Sequence, residues 1–328
     1  MKFPTMAAFT MHTSFSDLSS KYDGFILDQF GVLHNGKQAL PGAVECIEHL
    51  GKQNKKLVIL SNSSASAKST LDRLPRLGFS SEYFTGAVTS GEEASRYIAQ
   101  TYGSSLSMSM PSPSNIVVPK RVIWLTWDGA SNPTSMAGFL SQCGNIEIAD
   151  SVQEADFVLA HGAQVWKRNN KEDISLGSFM THGQFDIIDP ILNECIEHNL
   201  PMVCANPDFV AQIADGSTAH MPGKIAKRYT EKGGACMSFG KPNKEHFEAC
   251  LEELGLPRDR VAHVGDSLHH DIAGANAAGI TSIFVTGGIH TDDIDSSPTG
   301  YPTRDSLETL FRREGDTIPT HVVPMFRL

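Results

Sequence analysis

Residues 24–31 read GFILDQFG, a short apolar run that ends on a carboxylate, Asp28. Three further runs share this layout, each closing in polar residues: KLVILSNSS (56–64), VIWLTWDG (122–129) and VAHVGDS (261–267). Continuous apolar runs of this length suit strands buried on both faces, as in a parallel sheet covered by helices. Between the first two runs lies PGAVECIEHLGKQN (41–54), with Pro41 suited to a first helical turn and Ala43, Val44, Ile47 and Leu50 sharing one helical face. That order makes a strand, helix, strand unit of right-handed crossover type. The end of the chain repeats the theme: a helix over Lys244 to Leu254, a strand in VAHVGD, a small-residue helix in DIAGANAAG ending at Gly279, and a strand in TSIFVTGG. Both ends of the chain therefore predict one doubly wound, Rossmann-like parallel sheet.

The middle reads differently. GSSLSMSMPSPSNIVVPK (103–120) is rich in serine and proline, the composition of a loop or linker. Beyond it come strand-like VIWLTWDG, ADFVLAHG and LPMVCANPD, with helix-like stretches between them, ILNECIEHNL included. This pattern predicts an inserted α/β domain over 89–235, between core segments 1–88 and 236–328.

The chain's 328 residues are enough for two domains, each with its own core. With 40% hydrophobic and 20% charged residues, and no apolar run near the ~18 residues that span a bilayer, membrane insertion is not expected. The 27 Lys+Arg against 37 Asp+Glu give a net charge of -10, so no global positive potential attracts nucleic acid. The six cysteines stand in apolar contexts without C-x-x-C spacing and read as reduced core thiols of a cytosol-like compartment. The leading MKFPTMAAFTMHTSFSDLSS lacks the layout of a secretory signal, and the first arginine is Arg73, so a cytoplasmic location is expected.

In a parallel α/β sheet, ligands bind in the crevice beyond the carboxyl ends of the strands. The polar residues that end the runs are Asp28, Ser61 with Asn62, and Asp266, and Lys241 arrives from FGKPNKEHF just before a helix. Two carboxylates suit a hard divalent cation such as Mg²⁺, while Ser61, backbone N–H groups and Lys241 suit phosphate oxygens.

Here the sequence resembles the haloacid dehalogenase superfamily of phosphoryl-transfer hydrolases. DQFGVL (28–33) stands as the nucleophile loop, LSNSS (60–64) as the second motif, GKPN (240–243) as the lysine motif and GDSLHHD (265–271) as the acidic fourth motif. About fourteen residues separate Asp28 from Gly42, leaving no room for a cap there, whereas 180 separate Ser61 from Lys241. The chain thus looks like the class IIA branch, whose cap follows the second motif, alongside nitrophenyl phosphate, phosphoglycolate and pyridoxal phosphate phosphatases. CANPD (204–208) also resembles a segment of that branch near the substrate, which puts Asn206 and Asp208 beside Asn62 and Phe30 on the substrate side.

By that resemblance Asp28 attacks phosphorus and forms an aspartyl phosphate, splitting a hard displacement into two steps. Mg²⁺ sits between Asp28, the backbone carbonyl of Phe30 and Asp266. Ser61 and Lys241 hold phosphate oxygens, and Asp271 orients the metal's water or Lys241. The resembled branch commonly forms cap-to-cap dimers, so a second copy of the chain is an expected partner beside a small phosphorylated molecule.

One position departs from the pattern. Phosphatases of this family carry a second Asp two residues after the nucleophile, which protonates the leaving oxygen and then activates water; this chain has Phe30. General acid-base catalysis is worth typically ~10² to 10⁴ in rate, and Phe30 supplies neither proton transfer. Three readings follow: a slow or atypical Mg²⁺-dependent phosphatase, a phosphate-ester binding or regulatory protein with little turnover, and a hydrolase of carbon–halogen bonds. True haloacid dehalogenases resemble the chain in an aromatic at this place, yet use no metal and lack the pair kept here as Gly265 and Asp266. His34 reads as structural, His269 and His270 as loop residues, and Gly86 and Gly91 as hinge candidates.

Overall fold

The computed structural model describes residues 8–103, 118–129, 138–212, 217–295 and 301–328; most of the stretch read as a linker, residues 104–117, lies outside them. Contacts gather the chain into two units, one of Met1–Ser61, Thr70–Val88 and Lys241–Leu328, the other of Asn62–Ser69 and Thr89–Gly240.

The first unit is built on a seven-stranded sheet. From edge to edge its strands are Thr10–Met11, His321–Val323, Thr281–Val285, Val261–Gly265, Gly24–Leu27, Lys56–Ser61 and Phe84–Thr89. Gly24–Leu27 pairs in parallel with Lys56–Ser61 on one side and Val261–Gly265 on the other. From that first long strand the chain moves outward one way before the insertion and the other way after it, so strands 24–27 and 261–265 flank the switch point of the sheet.

Alternation along each strand supplies both faces of the core. Phe25, Leu27, Leu57, Ile59, Ala262 and Val264 pack on Cys46, Ile47 and Leu50 of the helix Ala43–Lys52. Ile26, Val58, Leu60 and Val261 face the other way, onto Phe247, Cys250 and Leu254 of the helix Lys244–Leu254. Each such aliphatic or aromatic side chain taken from water contributes roughly 1.5–3 kcal/mol. The first of these helices starts at Ala43, later than the sequence predicts. Gly42 caps it with φ +83°, and Pro41 falls outside. Proline cannot take that conformation, and a Cβ on Gly42 would lie 2.7 Å from Cβ of Arg327.

In the second unit, parallel strands Cys236–Ser238, Met202–Cys204, Phe157–Ala160 and Lys120–Thr126 lie side by side, with Ile146–Ile148 also parallel to the last of them. Val165–Lys167 and Ile174–Ser175 add two antiparallel strands, and Val210–Gln212 with Thr218–His220 forms a separate antiparallel pair. Helices Ile188–Glu197 and Pro222–Glu231 bury Ile191, Leu192, Ile225 and Tyr229 against this unit's core. Among the described residues no helix is long and apolar enough to cross a membrane.

Candidate active site

Asp28 follows the last residue of strand Gly24–Leu27, and its backbone N–H donates to the carbonyl of Val264 at 3.0 Å. That bond continues the parallel ladder one step beyond the strand, so Asp28 and Asp266 leave adjacent strand ends on the same edge. The chain then turns sharply. The N–H groups of Leu33 and His34 both donate to the carbonyl of Gln29, at 2.8 and 3.1 Å, while Gly31 takes φ +78°. The glycine is needed twice: a Cβ there would lie 1.8 Å from Oδ2 of Asp266, and the backbone is left-handed. Gly288 presses on Asp266 from the other side, where a Cβ would come within 2.1 Å of Oδ2, and the N–H of Ile289 donates to that oxygen at 2.8 Å.

Lys241 is buried, 2% exposed, and its ammonium bridges two carboxylates. Nζ lies 2.6 Å from Oδ1 of Asp28 and 2.7 Å from Oδ1 of Asp271. Asp271 sits in a π-helical turn, Leu268–Ile272, that precedes the helix Ala273–Ala277. The wider turn lets the N–H of Ser267 donate to Oδ2 of Asp271 at 3.0 Å, and His263 Nε2 lies 2.8 Å from Oδ1. His270 Nδ1 lies 3.1 Å from the carbonyl of Lys241, fixing the lysine's main chain. A side chain of Asp28 that is 13% exposed is the part of this cluster that a ligand can reach.

Electrostatics separate the three carboxyl groups. Burial raises the pKa of Asp28 to about 7, against the opposing pull of the Lys241 ammonium. Burial also raises Asp266 well above the carboxylate range, and Asp28 and Asp271 push it further. Burial would raise Asp271 too, but Lys241 and His263 more than offset it and hold the carboxyl well below its ordinary value. Burial disfavours the Lys241 ammonium, yet Asp271 and Asp28 together keep it charged.

Asp28, Asp266 and Asp271 offer oxygen atoms within 4.8 Å of one another. Asp271 is already engaged by three donors, whereas Oδ1 of Asp266 accepts no hydrogen bond among the described residues. Hard carboxylate oxygens and like charges that repel each other fit a small divalent cation held by Asp28 and Asp266.

Ser61 ends its strand and is buried, 3% exposed. Three of the expected substrate residues form a different network, inside the second unit. Asn62 Nδ2 donates to Oδ1 of Asp208 at 2.7 Å, and the N–H of Asp208 donates to Oδ1 of Asn206 at 3.1 Å. Phe30 is 39% exposed, with its ring edge-on to His34 at 4.8 Å. Gly91, a hinge candidate, approaches the main chain of Ser64 so closely that a Cβ would lie 2.1 Å from its carbonyl oxygen. Close packing therefore accounts for that glycine. Sequence reasoning did not find His263, the Ile289 N–H or the two glycines against Asp266; the paired Gly287 and Gly288 after a strand are the one visible signal of such close approach.

A haloacid dehalogenase-like hydrolase family model matches residues 25–157, and a second, HAD-hydrolase-like model matches residues 238–310. Chronophin of Homo sapiens is 26% identical over 275 residues, covering 83% of this chain and 84% of that protein. A hydrolase of the haloacid dehalogenase-like family from Brucella suis 1330 agrees in fold with a TM-score of 0.69 at 19% identity, over 95% of this chain and 98% of that one. A glycerol phosphate phosphatase from Mycobacterium tuberculosis, solved in complex with magnesium, shares the fold with a TM-score of 0.53 at 22% identity, over 87% of this chain and 74% of that one.

Proposed function

We propose that this chain, a member of the haloacid dehalogenase superfamily with its cap after the second motif, is a Mg²⁺-dependent hydrolase of small phosphorylated metabolites. The observation that carries the reading is Lys241 Nζ bridging Asp28 and Asp271 at 2.6 and 2.7 Å, beside Asp266 at the switch point of a parallel sheet. A bound cation would be held by Asp28, Asp266 and the Phe30 carbonyl, and would supply positive charge where nucleophile and phosphate meet.

In this reading an Oδ of Asp28 attacks phosphorus, the ester P–O bond breaks, and the leaving oxygen takes its proton from solvent. Water then attacks the aspartyl phosphate and releases inorganic phosphate and the free carboxylate. Lys241 and Ser61 bind phosphate oxygens, and Asp271 holds the ammonium in place. The second unit is the inserted domain, and its Asn62, Asn206 and Asp208 are assigned to substrate binding. A relative named D-glycerol 3-phosphate phosphatase, from Mycobacterium tuberculosis and 25% identical over 87% of this chain and 69% of that protein, supports a small phosphate monoester as substrate.

Phe30 favours a second reading in which the pocket binds a phosphate ester and turns it over little, because no carboxylate at that position transfers a proton. Turnover of a phosphomonoester panel with and without Mg²⁺, paired with mass spectrometry for phosphorylated Asp28, separates the two. Metal-dependent release of phosphate with label on Asp28 supports the hydrolase, and tight binding with no release supports the binder.

A further inference from the structure

His263 stands in the middle of the strand Val261–Gly265, a strand buried at every position. It is 0% exposed and faces the core, where the ring of Phe247 meets it edge-on at 5.0 Å. An imidazole is a costly choice for such a place. Burying a polar nitrogen that makes no hydrogen bond of normal geometry is unfavourable, and Nδ1 is such an atom among the described residues. An aliphatic side chain would fill the same space with no such cost.

The imidazole Nε2 lies 2.8 Å from Oδ1 of Asp271. Asp271 is ionised and only accepts, so Nε2 must carry the hydrogen. Burial pushes the His263 pKa down, which leaves a neutral ring with its single hydrogen on the carboxylate side. Asp271 is thereby clamped at both oxygens, by His263 and Lys241 on Oδ1 and by the Ser267 N–H on Oδ2.

We propose that His263 is a positioning residue of this site: its Nε2–H fixes the Asp271 carboxylate, and the fixed carboxylate keeps the Lys241 ammonium directed at Asp28. The inference rests on the phosphate-site reading above and deepens it. A hydrogen-bond partner placed behind a working carboxylate changes activity by typically ~10- to 100-fold.

The test uses the full chain in Mg²⁺ with p-nitrophenyl phosphate as probe. His263→Leu should lower kcat/KM by ~10- to 100-fold, and His263→Gln, whose Nε2 can donate to the same oxygen, should recover to within ~3-fold of the parent. Cys250→Ala, a cavity in the same side of the core, should leave kcat/KM within ~3-fold and so controls for general loosening. Equal losses in His263→Leu and Cys250→Ala, or a His263→Gln as slow as His263→Leu, would overturn the proposal. Calorimetric titration of the same proteins with inorganic phosphate in Mg²⁺ needs no turnover. There His263→Leu should bind at least ~10-fold more weakly than the parent. Unchanged affinity overturns the positioning role, whereas a parent inert on every ester counts against the phosphatase reading alone.

Discussion

A Cβ placed on Gly31 would lie 1.8 Å from Oδ2 of Asp266, so the loop after the proposed nucleophile is folded directly onto the second carboxylate. Gly31→Ala must therefore displace Asp266 or open the loop, and φ +78° adds a backbone penalty of roughly 1–2 kcal/mol. The expected outcome is a folded protein with a lowered Tm and Mg²⁺ affinity reduced at least ~10-fold by calorimetry. Unchanged affinity would show that Asp266 is not needed where the structure puts it.

Asp266 and Asp28 also set how the metal-free protein responds to pH. Burial first, then neighbouring carboxylates, raises Asp266, and burial raises Asp28 to about 7 from its ordinary 3.8. A carboxyl with a folded pKa above its unfolded value stabilises the fold while protonated, and that stability is lost as pH rises through the folded value. In chelator, the stability of the parent relative to Asp266→Asn should fall as pH rises above the ordinary carboxylate value of 3.8. Mg²⁺ should restore the parent, by about 2.7 kcal/mol at a hundredfold excess over Kd, and should leave Asp266→Asn unmoved. Melting curves across pH with and without Mg²⁺ read both effects, and a variant that still gains stability from Mg²⁺ would contradict the assignment.

A separate acid limb comes from His246, on the helix that covers the opposite face of the core. Burial pushes its pKa down to about 4 from 6.5, so the folded state keeps it neutral while the unfolded chain takes a proton. The contribution is whole above about pH 6.5 and is lost as pH falls toward 4, a total of order 3 kcal/mol. His246→Leu should remove that limb, making urea midpoints at pH 4.5 and 7 differ less than in the parent. Parallel pH curves for the two proteins would rule out His246 as the source.

The site was legible in the sequence where chemistry coincides with strand ends. Asp28 and Asp266 close apolar runs, and a parallel sheet delivers such residues to one edge, which is where both stand. Lys241 was legible because it precedes a clear amphipathic helix, Lys244–Leu254. His263 was not, since alternation within VAHVG marks it only as a core position, and its partner eight residues on is set by a π-helical turn that no periodicity announces. The antiparallel strands Val165–Lys167 and Ile174–Ser175 are three and two residues long, too short for alternation to separate them from loop. Gly42 was hidden by Pro41, whose usual place in a first helical turn shifted the expected start of the helix.

Phe30 offers the sharpest test, because the missing proton donor matters in proportion to how badly the leaving group needs a proton. Aryl and acyl phosphates should be cleaved far better than alkyl phosphates, and the aspartyl phosphate on Asp28 should persist, since the same absent carboxylate would activate water in the second step. Phe30→Asp should raise alkyl phosphate hydrolysis by ~10-fold or more and shorten the life of the labelled intermediate. The structure favours a folded variant. Phe30 is 39% exposed and meets His34 only edge-on, so its replacement forfeits less than the roughly 3–5 kcal/mol of a buried aromatic. Rates on matched aryl and alkyl esters, with phosphate release and acid-trapped label followed together, decide the matter. A folded Phe30→Asp protein with no gain on any phosphomonoester, beside an equally inert parent, would sink the hydrolase reading and leave the phosphate-binding one in its place.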